Sequence, residues 1–252
     1  MSDEYELLKR RMVELARRSY NSGIFVFTDF LGLAEQSVFS EIKREISHVK
    51  YTEFGGTPGT ERVMIRFGDP DELGYELPYP ISAVKVAPVS PKFADRLTHR
   101  DFLGAILNLG IERHTVGDIA IVDNVGYVFA KEDIAQYICR ELIRIKRTDV
   151  TCSITEDLPA GQLYRTEPRT VQISSERLDA VIAKAFSLSR DDAQSLFKKR
   201  LVFISGKCSE NTSYTPKIGD VISVRGQGRF IYKGYSSTSK KGKLNVILDL
   251  YV

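Results

Sequence analysis

Ser174-Ser175-Glu176-Arg177-Leu178-Asp179, followed by Leu188-Ser189-Arg190 and closed by Val224-Arg225-Gly226-Gln227-Gly228-Arg229, is the stretch around which the chain is organised. Ser174 or Ser175 can cap a helix whose apolar face is Leu178, Val181, Ile182, Ala185 and Phe186, with Arg177 and Lys184 on a shared outer side. Ser189 is placed to cap a second helix that turns Ala193, Leu196 and Phe197 inward. Beside that face Arg190, Gln194 and Lys198 recur every four residues as one stripe, continued by Lys199 and Arg200. Val202 to Ile204 predicts a strand, Ser205-Gly206 a turn from which Lys207 emerges, and Val221 to Arg225 a second strand, with Arg229 just beyond. Two short helices and a small sheet, basic on one side, are the layout of a module that grips RNA.

Charge divides unevenly along the 252 residues. Residues 1–78 carry 10 Lys+Arg against 14 Asp+Glu, residues 79–165 carry 11 against 11, and residues 166–252 carry 15 against 8. The whole positive excess therefore sits in the last third, as expected of a polyanion-binding domain, or else of a well-solvated basic surface. The length and an apolar content of 42% suit two or three compact units. Cys139, Cys152 and Cys208 lack metal-ligand spacing and read as small core residues in a reducing, cytoplasmic setting. No apolar run approaches the roughly 20 residues of a membrane span.

Upstream, Leu8, Met12, Leu15 and Ala16 mark a first helix ended by Asn21-Ser22-Gly23. A second helix is expected from about Gly32 to Ile46 with Thr28 and Asp29 as candidate caps, then strands at Val49–Phe54 and Arg62–Phe67. The intervening Gly55-Gly56-Thr57-Pro58-Gly59-Thr60 lacks the Lys-Ser/Thr ending and following helix of a phosphate loop, so a hairpin turn is the better reading.

From Ile81 the pattern runs strand, helix (His99–Asn108), strand, strand, helix (Lys131–Leu142), strand, the ferredoxin-like order shared with RNA recognition motifs. Gly126-Tyr127-Val128-Phe129 only partly matches the base-stacking pattern of such motifs, and core packing is the favoured alternative. His48, His99 and His114 have no partner at ligand spacing, and His99-Arg100-Asp101 lacks the companions of a kinase loop. No metal, cofactor or catalytic set is expected. Glu156 to Pro168 reads as a mobile linker, and Gly234 to Lys243, with Lys240, Lys241 and Lys243, as either a flexible arm or a solvated hairpin tip.

Four blocks in order, Arg177-Leu178-Asp179, Leu188 to Ala193, Leu201 to Lys207 and Gly219 to Arg225, resemble the S-four (alpha-L) RNA-binding domain. Ser205 departs from the Asn that commonly precedes the glycine. With Phe54-Gly55-Gly56, Glu61-Arg62, Thr98 to Ala105 and Gly117-Asp118-Ile119, the chain is similar over essentially its full length to the YlmH family. The element pattern and the Pro78-Tyr79-Pro80 boundary divide the α+β chain into three small domains, an N-terminal unit (1–78), an RRM-like βαββαβ domain (79–165) and a last domain (166–252) that the four blocks identify as S-four-like. The resemblance implies a ribosome-associated factor that binds large-subunit ribosomal RNA and peptidyl-tRNA during rescue of stalled subunits. The absence of a nucleophile with an evident base, of paired carboxylates and of a metal set upstream makes a non-enzymatic protein the expectation, and a monomer is expected. Arg177, Ser189, Arg190, Lys198, Lys199, Arg200, Lys207, Arg225 and Arg229 are the expected RNA contacts. Two other readings stand beside it. Arg177-Leu178-Asp179 matches the nucleophile triplet of pseudouridine synthases but not its continuation, and a division-associated scaffold would need an exposed partner surface.

Overall fold

In the computed structural model, residues 2–159, 161, 163–239 and 242–251 are described. They form two compact units, Met1–Leu163 and Tyr164–Val252.

The first unit starts with helix α1 (Ser2–Ser22), which turns Met12 and Ala16 into the core and stops at Gly23, whose φ of +62° suits glycine. Strand β1 (Val26–Phe27), helix α2 (Leu33–Ile42), strands β2 (Tyr51–Phe54) and β3 (Met64–Phe67) and the short helix α3 (Pro70–Leu73) follow. The three strands make an antiparallel sheet in the order β1-β3-β2. Helix α2 is shorter than its periodicity suggests, and Gly32, not Thr28 or Asp29, is its cap residue. Thr28 instead accepts the Ile65 N–H at 2.9 Å and serves the sheet. The glycine-rich segment is the β2–β3 hairpin turn, as expected.

The next segment comprises β4 (Ile81–Pro88), α4 (His99–Asn108), β5 (Val116–Val122), β6 (Val125–Lys131), α5 (Glu132–Glu141), β7 (Arg144–Ile145) and β8 (Thr148–Thr155). The antiparallel order β5-β6-β4-β8-β7 is ferredoxin-like, with one added edge strand. Asp123 and Asn124 both take positive φ, as a two-residue hairpin turn between twisted strands requires. Val84, Val86, Val128 and Ala130 pack with Phe102 and Ile106 of α4 and Ala135 and Ile138 of α5.

The opposite face of this sheet is covered by the N-terminal segment. Phe129 packs with Phe30 and Met64. The Gly56 backbone lies on its ring so closely that a Cβ there would stand 2.3 Å from a ring carbon. The Asp118 carboxylate accepts the N–H groups of Glu61 (2.5 Å) and Arg62 (3.0 Å), and Arg62 donates to the carbonyls of Val116 (3.1 Å) and Phe30 (2.9 Å). The change near residue 78 is thus a passage from one sheet to another inside a single unit. Phe129 and Tyr127, 1% and 8% exposed, take the core-packing role.

The second unit contains β9 (Thr166–Ile173), α6 (Leu178–Ala185), α7 (Arg190–Lys198), β10 (Val202–Ile204), β11 (Lys207–Cys208), β12 (Val221–Val224), β13 (Gly228–Thr238) and β14 (Leu244–Tyr251). Its sheet runs β11-β10-β12-β13-β14-β9. Both helices pack on one face, where Leu178, Val181, Ile182, Ala193 and Phe197 meet Val202, Ile222, Val224, Phe230 and Val246. Of the described residues in the predicted linker only the last are strand, and the stretch from Gly234 belongs to the β13–β14 hairpin. Pro168 lies in β9, an edge strand that tolerates a missing N–H, and β13 runs past Gly234 through a bulge to Thr238. Lys240 and Lys241 lie outside the described residues.

Candidate nucleic-acid interface

Helix α6 starts without a side-chain cap from Ser174 or Ser175. Its first two N–H groups, on Leu178 and Asp179, are taken by the carbonyls of Tyr214 (2.8 Å) and Thr212 (3.2 Å). This crossing segment seals the helix start and leaves the Asp179 carboxylate facing α7. Arg177 donates to it through Nε (3.2 Å) and Nη2 (3.1 Å), Arg190 through Nη2 (3.0 Å), and Gln194 through Nε2 (3.0 Å). The Asp179 side chain is fully buried, whereas those of Arg177 and Arg190 are 40% and 42% exposed. Burial pushes the Asp179 carboxyl up, but hydrogen bonds from Gln194, Arg177 and Arg190 more than offset this and hold it below the usual carboxylate range. One negative charge thus fixes two guanidinium groups whose outer edges face water. Such a pre-set pair suits the bidentate recognition of phosphate.

Ser189 caps α7, accepting the Asp192 N–H at 3.0 Å. At the other end of that helix Lys198 and Lys199 are exposed, and Arg200, with φ of +57°, pairs with Glu210 at 3.6 Å. The Arg225 N–H donates to the Leu201 carbonyl (2.9 Å), bringing Arg225 beside this end. The nine residues of α7 separate the two basic clusters by about 12 Å. Lys207 stands past the Ser205-Gly206 turn, both residues of which have positive φ.

The nine residues do not all lie on one side of this unit. Val202, Ile222, Val224 and Phe230 face the helices, so the alternating positions Phe203, Ser223 and Arg229 face away from them. The Arg225 guanidinium lies 5.1 Å from the Phe203 ring centre, and that of Arg229 lies 3.7 Å from Tyr251. Arg225 and Arg229 therefore belong to the outer sheet face, because pleating reverses side-chain direction at every residue. The sequence places the Arg190-Gln194 stripe and allows Asp179 a structural or a surface role, without showing which partners it would hold. Its spacing of 11 residues from Arg190 is invisible to a helical-stripe argument, since the two belong to different helices.

The same geometry bears on the synthase reading. A carboxylate enclosed by two arginines and an amide, with no exposed surface, is not presented to a substrate. Among the described residues there is no His/Cys/Asp/Glu group suited to a metal ion, and no helix is long and apolar enough to cross a membrane. Cys139, Cys152 and Cys208 are unbridged. Burial raises the Cys152 thiol to about 12, and it donates to the Leu142 carbonyl at 3.2 Å.

Residues 78–157, the ferredoxin-like sheet and its two helices, match the family described as "Putative RNA-binding domain in YlmH". This segment is similar to the RNA-binding domain of YlmH proteins. Over 233 residues the chain is 29% identical to the ribosome-associated protein quality control protein P2 of Bacillus subtilis, spanning 88% of this chain and 86% of that one. It is also similar to the solved structure of the cell division protein ylmH from Streptococcus pneumoniae, at 21% identity and a TM-score of 0.48, over 62% of this chain and 93% of that chain. The family match and the Bacillus subtilis relative bear out the resemblance to YlmH proteins read from the sequence. Phe129, which would stack a base in an RNA recognition motif, is enclosed against Phe30 and Met64.

Proposed function

We propose that this is a non-enzymatic RNA-binding protein of the ribosome, acting in the cytoplasm as a monomer in quality control of stalled large subunits. Its C-terminal unit is read as an S-four domain that grips ribosomal RNA and the neighbouring peptidyl-tRNA. The carrying observation is the Asp179-centred clamp, which holds Arg177 and Arg190 half-exposed and pre-oriented beside the Lys198-Lys199-Arg200 end of α7. The YlmH family match and the quality-control relative support the same reading. Lys207, Arg225 and Arg229 are proposed as additional phosphate contacts, the last two from the outer sheet face.

The test is cosedimentation with purified large subunits across a salt series. Arg190→Ala combined with Lys198→Ala is expected to weaken binding and to flatten the slope of log K against log salt by roughly one unit per lost phosphate contact. Unaltered cosedimentation at every salt concentration sinks the proposal.

A further inference from the structure

The ferredoxin-like domain has a second surface with the chemistry of an RNA site. Its charge is balanced overall, yet residues 89–101 and 140–149 together hold seven Lys and Arg against four Asp and Glu. These two segments are neighbours. The Val89 N–H donates to the Asp149 carbonyl and the Asp95 N–H to the Thr148 hydroxyl, each at 2.9 Å. Asn124 of the β5–β6 turn holds the same loop, accepting the Leu97 N–H (2.8 Å) and donating to the Asp95 carbonyl (2.9 Å). A loop fixed from two sides nevertheless presents Phe93 at 83% exposure, with the Lys92 ammonium 5.7 Å from its ring centre.

Lys146 and Arg147 form the tip of the β7–β8 hairpin and divide two depressions. Phe93 and Arg147 line the smaller one, of about 160 Å³. Arg100 and Lys146 line the larger, of about 520 Å³, together with Asn108, Leu109 and Ile143, the last 72% exposed. Lys146 pairs with Asp101 at 2.7 Å and Arg144 with Asp149 at 2.6 Å. Lys92, Arg96, Arg100 and Arg147 have no carboxylate at ion-pair distance among the described residues. A held, exposed aromatic ring, flanking cations without acid partners and an adjoining cleft large enough for a base are the parts of a single-strand platform.

We propose that this end of the domain binds single-stranded RNA, one base stacking on Phe93, the backbone crossing Arg147 and Arg100, and a neighbouring base entering the cleft beside Ile143. The proposal rests on the RNA-binding reading above and gives the middle domain its own site, since the face of the sheet that would otherwise stack bases is closed.

The experiment measures binding of a fluorescein-labelled uridine dodecamer, and of an RNA duplex of equal length, to the full chain by anisotropy across a salt series. Phe93→Ala is expected to weaken the single strand about tenfold and the duplex hardly at all, because only unpaired bases stack. Arg100→Ala with Arg147→Ala is expected to lower the single-strand salt slope by about 1.4, at roughly 0.7 per contact. All three residues are surface-exposed, and unchanged thermal unfolding verifies that the variants are folded. Single-strand affinity within twofold of the parent in both variants, equal loss on duplex and single strand, or no binding of the dodecamer by the parent overturns the proposal. If subunit binding still falls in the Arg190/Lys198 variant, the wider RNA-binding reading survives that result. Unchanged RNA affinity with lost capture of a ribosomal protein would reassign the surface to a protein partner and likewise overturn it.

Discussion

Replacing Asp179 by Asn removes the charge at the centre of the clamp while keeping its shape, and its cost follows from the geometry. The carboxylate accepts bonds from Arg177, Arg190 and Gln194, all between 3.0 and 3.3 Å. Each bond to a charged group is worth about 1.5–3 kcal/mol, and removing one partner of a buried pair costs about 3–5 kcal/mol. The two arginine side chains are 40% and 42% exposed, so water can take up part of what they lose. The carboxamide also keeps one acceptor oxygen. A net cost of about 2–3 kcal/mol results, which in a unit the size of Tyr164–Val252 lowers the melting temperature by about 10–20 °C. Calorimetry measures the shift, and amide hydrogen exchange of α6 and α7 locates it. Subunit affinity should fall as well, because the arginines lose their fixed orientation. The parent's advantage must also depend on pH. A carboxyl whose folded pKa is depressed contributes stability that is present above its unfolded value of about 3.9 and lost as pH falls through the folded value. The gap between parent and Asp179→Asn should therefore narrow below about pH 4. A variant that melts within about 3 °C of the parent at neutral pH, with unchanged exchange in both helices, refutes the clamp as the organising contact.

In the first unit, Gly56→Ala should destabilise by about 3 kcal/mol or more, because the new Cβ meets Phe129 at 2.3 Å and the backbone sits at φ +105°. Combining it with Phe129→Ala should cost less than the two single changes added together; strict additivity, measured by denaturant unfolding, would show that the ring is not what the glycine accommodates. Ser189→Ala should cost about 1 kcal/mol through the lost Asp192 N–H cap, with faster amide exchange confined to the first turn of α7.

The parts of this fold legible in the sequence are those set by local rules. Ser189 caps α7 as its position before an amphipathic run predicts, and the Ser205-Gly206 and Asp123-Asn124 turns fall where short polar residues separate strands. The βαββαβ order emerges because each element carries its own period. What local rules miss is decided by distant partners. Pro168 looks like linker punctuation until β14 is known to pair with only one side of β9. Thr28 looks like a helix cap until the Ile65 N–H claims its hydroxyl. Phe129 could stack a base on any bare sheet, and only the packing of Phe30 and Met64 against it assigns that face.

The candidate sites carry the same lesson about charge. Counting cations by region singles out residues 166–252 and makes the middle domain appear neutral, but a count does not distinguish a paired cation from an unpaired one. In the basic unit, Arg177 and Arg190 are committed to a buried carboxylate, so their value toward phosphate lies in fixed direction more than in surplus charge. In the neutral domain, Asp101 and Asp149 are committed to Lys146 and Arg144, which leaves Lys92 and Arg147 beside an exposed phenyl ring and Arg100 on the larger cleft without an acid partner among the described residues. Counterion release depends on which cations meet phosphate, not on the sum over a domain. A zero-charge domain with segregated, unpaired cations can thus contribute as many phosphate contacts as a domain of high net charge whose arginines are already anchored, and the two salt-series experiments proposed above weigh one against the other.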